Sequence, residues 1–208
     1  MVKVSIKNPE YLEIIDEFTD EKFHGCNQEW YKKHWQRMAG CGPTVASNIL
    51  LYSKKNIGIS KAESLSVMEE MWKHVTPTMK GVNSTNIFYN GLVSFADSKG
   101  SNLIYDAVDV PKKKEVRPSI DRIINFIKSS LEKDIPLAFL NLCNGEEKCL
   151  DKWHWVTLIS LEYNEDLSCV SIEILDESIK KIIDLLLWNN TTTLGGGFVS
   201  FSLVNKID

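Results

Sequence analysis

The sequence has no long apolar run. Its most apolar stretch, Ile182-Ile183-Asp184-Leu185-Leu186-Leu187-Trp188, is short and interrupted by Asp184, well below the ~20 residues of a membrane-spanning helix. Residues 1–10 lack the apolar core of a signal peptide. The expectation is a cytoplasmic protein with no membrane partner. Basic residues are scarce as well: 24 Lys and Arg against 28 Asp and Glu leave a net charge of −4. The one basic block, Lys112-Lys113-Lys114, lies between Pro111 and Glu115 and reads as a solvated loop. Nucleic acid, which favours a concentrated basic surface, is therefore not expected. Cysteines number five, an odd count without framework spacing, and are expected to be free thiols. Repeats, low-complexity tracts and Gly/Ser linkers are missing too, which leaves one domain over residues 1–208.

What is present changes character near Asp134. Before it, helical patterns dominate. The spacing predicts a helix over 42–55, with Pro43 in its first turn and Val45, Ile49 and Tyr52 on one face. Ser60 and Glu63 form a candidate capping box for a helix to about Val75. Residues 84–98, stopped by Gly100, and 118–133, stopped by Pro136, read as two more. From Pro136 onward, residues 137–142, 153–163, 169–175, 180–188 and 198–204 carry strand patterns between short turns. An antiparallel meander is expected. The fold class is α+β: a mainly helical lobe over 1–134, a mainly antiparallel sheet lobe over 135–208, and a cleft between them.

Cys41 opens the helix predicted over 42–55, within Gln36-Arg37-Met38-Ala39-Gly40-Cys41-Gly42-Pro43-Thr44. The thiolate is the reactive form of cysteine, and a helix start favours negative charge through its dipole and free N–H groups. Gly42 leaves room for a substrate backbone to approach. The Gln36 side chain, five positions before Cys41, is a candidate oxyanion donor beside the Cys41 N–H. A free cysteine is more often a buried core residue, but the other four lack this context. Cys143 and Cys169 sit in apolar strand patterns and read as core, whereas Cys26 and Cys149 sit in polar loops.

His154 stands between Trp153 and Trp155 at the start of a strand, and alternation puts it on the face opposite both indoles. It is the candidate general base. A base works best when a third group fixes its tautomer. Asp176, at the end of the next strand, is the candidate orienter; Asp166, Asp184 and Asn164 are the fallbacks. His24 and His34 lie in loop-like sequence and His74 near a helix end. The acidic stretch Glu146-Glu147 reads as a solvated loop that rims the cleft and disfavours acidic substrates.

Gln36, Cys41-Gly42-Pro43-Thr44, His154-Trp155-Val156 and Asp176 together resemble papain-like cysteine peptidases, closest to the bacteriocin-leader-processing branch and its stand-alone relatives. The resemblance spans residues 36–188. It implies a peptide or protein substrate, Cys41 as nucleophile, His154 as general base and acid, Asp176 as orienter and Gln36 as oxyanion donor. Gly40 stands where leader peptidases often have an acidic residue. The implied reaction is hydrolysis through an acyl-enzyme on Cys41, with no cofactor. Acyl transfer by the same pair and a non-catalytic peptide-binding module are the alternatives. A zinc site from Cys143, Cys149 and His154 is disfavoured by the spacing of its cysteines. Gly195-Gly196-Gly197 lacks the helix and lysine of a phosphate loop.

Overall fold

The computed structural model describes residues 1–205. The chain enters as β1 (Val2–Ser5), then forms the short strands β2 (Glu13–Ile15) and β3 (Lys22–His24). Helix α1 (His34–Ala39) ends at Gly40, where α2 (Cys41–Ser53) begins at once. His34 thus starts a helix, where a loop was expected. β4 (Ile59–Ser60) joins β2 and β3 in a small separate sheet. Ser60 then caps α3 (Lys61–His74) by accepting from the Glu63 N–H, as the capping-box pattern predicts. Ser84 caps α4 (Thr85–Ser98) in the same way, accepting from Ile87. β5 (Ser101–Val110) follows, and then α5 (Ile120–Glu132), capped by Ser119.

The remainder is β6 (Leu137–Asn141), β7 (His154–Tyr163), β8 (Val170–Asp176), β9 (Ile179–Asp184), α6 (Leu185–Thr191) and β10 (Gly196–Asn205). The segment 180–188, expected as one strand, is divided in two. Asp184 ends β9 and caps α6 by accepting from the Leu187 N–H, so a side-chain cap overrides the continuous apolar pattern.

Seven strands make one antiparallel sheet in the order β5-β10-β6-β7-β8-β9, with β1 beside the far half of β7. The expected meander is present as β6 to β9. β10 returns instead to the other side of β6 and continues along β5. The sheet therefore draws strands from both sides of Asp134. β5 carries Asn102, Asp106 and Asp109 and is largely exposed, so it shows little of the alternation that marks a half-buried strand.

Strand alternation divides the interior into two cores. Leu137, Phe139, Val156, Leu158 and Phe198 pack with Ile123, Ile124 and Ile127 of α5 and Trp188 of α6. Ala138, Leu140, Trp155, Val199 and Phe201 pack with Val45 and Ile49 of α2, Met68 and Met71 of α3, and Phe88 and Leu92 of α4. The sheet is thus covered by helices on both faces. α2 is buried from Gly42 to Tyr52, with Val45 and Ile49 in one core and Tyr52 in the other.

Candidate active site

The tip of α2 meets the starting end of β7 and the finishing end of β8. Cys41, His154 and Asp176 come together there, bordering a small hollow with Cys26, Gln28, Thr44, Asn48 and Glu177. His154 Nε2 and Asp176 Oδ1 are 2.7 Å apart, and both side chains are largely buried. Cys41, half-buried, borders the same hollow as the imidazole. With Nε2 engaged by the carboxylate, Nδ1 is the nitrogen left for the thiol. Burial of the ring opposes its charged form. The hydrogen bond and charge of Asp176, with the neighbouring Cys41, outweigh burial and push the imidazole up to about 10. Burial likewise opposes the Asp176 carboxylate. The His154 contact and the Lys181 ammonium outweigh it and hold Asp176 below its ordinary value.

Local structure explains the placement. Asp176 and Ile179 close the β8–β9 hairpin. Glu177 (φ 50°) and Ser178 (φ 67°) both lie in the left-handed region, the signature of a two-residue type I′ turn. The tip is tied to the N-terminal loop: the Glu177 carbonyl accepts from Asn27 Nδ2, and the Ser178 carbonyl accepts from the His24 N–H. On the next turns of α2, Asn48 accepts from the Cys26 N–H and donates to Thr157 Oγ1. This buried bridge binds the helix of Cys41 to the strand of His154.

Several expectations need correction. Trp153 is exposed and lies outside the strand with φ 57°. Trp155 stacks on Phe88 and also borders the hollow beside His154. Gly42 does not open space for a substrate: a Cβ there would meet Val82 at 3.0 Å. Gln36, although buried, lines a different hollow with Lys33, Trp35, Glu69, Trp72 and Lys73. Gln28, and not Gln36, lines the hollow that Cys41 and His154 share. Cys26, read as a loop residue, is fully buried and its thiol is pushed up by desolvation. Cys169, read as core, is exposed, and Cys143 is half-buried.

The fallback orienters are engaged elsewhere. Asp166 accepts from the Ser168 N–H and hydroxyl in the β7–β8 turn. Asn164 donates to Ser168 Oγ, and Asp184 caps α6. Glu147 is a buried tie and not a solvated rim, with one oxygen accepting from the Cys149 N–H and the other from the Asp184 N–H. His74 Nδ1 lies 3.0 Å from Ser94 Oγ. Among the described residues, no group of three or more His, Cys, Asp or Glu is arranged to hold a metal. No helix among them is long and apolar enough to cross a membrane.

Gln28 and Lys181 escaped the sequence reading. Gln28 begins a short 3-10 turn opened by Asn27, and nothing in its local sequence distinguishes it. Lys181 has a faint signal: a two-residue turn after Asp176 sets it diagonally across the hairpin on the same face.

No protein-family model matches the chain, and no curated protein matches it. Among solved structures, UfSP from C. elegans aligns at 11% identity with a TM-score of 0.49, covering 96% of this chain and 34% of that one. The chain thus spans about a third of the length of that protein.

Proposed function

We propose that the protein is a papain-like cysteine hydrolase that cleaves a peptide amide. The reading rests above all on His154, which has Asp176 at 2.7 Å on one ring nitrogen and shares its hollow with Cys41. Cys41 sulfur attacks the carbonyl carbon and forms the C–S bond of an acyl-enzyme. The C–N bond breaks as the imidazolium gives its Nδ1 proton to the leaving amine. Water then attacks the thioester, losing its proton to the neutral imidazole, and the acid leaves with Cys41 restored. Asp176 keeps Nε2 as the other protonated nitrogen and balances the imidazolium charge. The Cys41 N–H, in the first turn of α2 where no intrahelical acceptor exists, is one oxyanion donor. Gln28, which lines the hollow, is the amide side chain we take as the second, with Gln36, which lines another, as the alternative.

This assignment stays at the level of the papain-like class. Gly40 cannot carry the acidic residue common in leader peptidases, because a Cβ there would stand 2.3 Å from the Gln36 carbonyl oxygen.

The test is iodoacetamide labelling at neutral pH, with site mapping, of the wild type and His154→Ala. Rapid labelling confined to Cys41 and slowed at least tenfold in the variant is the expected result. Slow labelling equal in both proteins overturns the reading. A peptide library then supplies the substrate, and a thioester trapped on Cys41 identifies the intermediate.

A further inference from the structure

The Asp176 carboxylate is shared. Oδ1 faces His154 Nε2 at 2.7 Å, and Oδ2 faces Lys181 Nζ, also at 2.7 Å. Asp176 is almost wholly buried between them, and the Lys181 side chain is 23% exposed. A buried carboxylate with one charged partner is free to rotate and to offer either oxygen, or both, to that partner. Here each oxygen has its own donor.

The arrangement follows from the hairpin. Asp176 is registered with Ile179, and Ile174 with Lys181, so Lys181 is the diagonal neighbour of Asp176 on the same face. On that face of β9 exposure falls from Ile179 through Lys181 to the buried Ile183. The lysine stem therefore lies along the core edge, and its ammonium reaches the carboxylate from the wet side.

We propose that Lys181 is a positioning residue for the reaction assigned above to Cys41 and His154: its ammonium occupies Oδ2 of Asp176, so that the carboxylate turns Oδ1 alone to the imidazole and gives it a divided charge. The inference rests on that functional reading. Two consequences follow. The carboxylate cannot swing away from the ring when the imidazolium loses its proton, which keeps His154 aimed at Cys41 through both halves of the cycle. The lysine's positive charge also limits how strongly Asp176 stabilises the imidazolium. An imidazolium held too tightly is a poor acid toward the leaving amine. The charged or titratable groups in play are Cys41 on α2, Asp176 on β8, Glu177 in the turn, Lys181 on β9 and Asp151 ahead of β7.

The experiment is an NMR titration of the His154 ring in the Cys41→Ala chain, where the coupled thiol is gone. Lys181→Met is expected to raise the His154 midpoint by about one pH unit, a tenfold change in its acid constant. Lys181→Arg keeps the charge and is expected to stay within about 0.3 of the parent. A midpoint that is unmoved or lowered in Lys181→Met overturns the proposal. Should Lys181→Met fail to fold by circular dichroism, Lys181→Gln removes the charge while keeping a donor, and the same upward shift is required of it. The two readings fail separately. Slow labelling of Cys41 that ignores His154→Ala removes the hydrolase, whatever the titration does. A static titration beside fast, His154-dependent labelling removes the role of Lys181 alone.

Discussion

At the residue scale, the position of Cys41 depends on a glycine. Gly40 joins α1 to α2 with φ −84° and ψ 0°, so its value is not backbone freedom. Its value is space: a Cβ would stand 2.3 Å from the Gln36 carbonyl oxygen and 2.7 Å from the buried Tyr31 ring. Gly40→Ala must push α1 or Tyr31 aside, at a cost of about 1–3 kcal/mol, seen as a lower urea midpoint. The same variant is expected to slow Cys41 alkylation, because the displaced joint carries Cys41. Asp176 carries a different risk. Asp176→Ala leaves the Lys181 ammonium and the His154 ring without their shared counter-charge in a buried setting. Loss of one member of a buried ion pair costs about 3–5 kcal/mol, and partial exposure of Lys181 sets the expectation at the lower end. Denaturant unfolding checks it; a loss under ~1 kcal/mol would show the pair to be solvent-screened. Cys41 and His154 were legible in the sequence because each has a local signature, a helix start and a strand start. Gln28 was not, because its neighbourhood is made by a loop folding back. Gln36 has the sequence distance to Cys41 that suits the role, but the hollow it lines is bordered by Trp35 and Trp72 and not by Cys41.

At the element scale, the β8–β9 hairpin is the most constrained piece near the site. Its two turn residues both take positive φ, yet they are Glu177 and Ser178, not the Asn-Gly pair such a turn prefers. Ser178 Oγ is buried with no hydrogen-bond partner. Ser178→Gly removes the hydroxyl and relieves the left-handed penalty, offset partly by glycine's greater freedom when unfolded. The expected gain is about 1 kcal/mol, read as a higher melting temperature. A decrease would mean that the hydroxyl has a partner in solution. The backbone carbonyls that tie the tip to Asn27 and His24 are retained, so the Asp176 position should be preserved. Capped helices were the most readable elements: Ser60, Ser84 and Ser119 each open a helix where the pattern predicts one. β5 was unreadable because it is an edge strand exposed on much of both faces, and so lacks the apolar alternation of a half-buried strand. The division of 180–188 into β9 and α6 was hidden because both halves are apolar, and the Asp184 cap is a single polar residue.

At the scale of the whole molecule, fold class was legible and chain order was not a guide to its layers. Hydrophobic period separates helices from strands, but it does not say which strands share a sheet. β1 joins through hydrogen bonds to residues more than half the chain away, and β5 pairs with β10 at the far end of the described chain. Because α2, β7, β8 and β9 meet at His154, the ionisation of this ring is linked to unfolding of the entire chain. The ring's folded-state value is about 10 against an ordinary 6.5. A group raised on folding binds its proton more tightly in the native state, so its contribution is complete below 6.5 and is lost as pH climbs toward 10. Asp176, held below its ordinary value, contributes in the opposite sense: its share is present above 3.8 and is lost as pH falls below that. Between these limits both charges favour the folded state. Melting temperatures of the wild type and His154→Ala should therefore differ most between 3.8 and 6.5, where the imidazolium and its carboxylate partner are both charged. The gap should close steadily as pH approaches 10. The comparison cancels lysine and tyrosine titrations common to both chains. A gap that stays constant across this range would mean that the ring binds its proton equally well in the folded and unfolded chains, and that Asp176 holds it without shifting its charge.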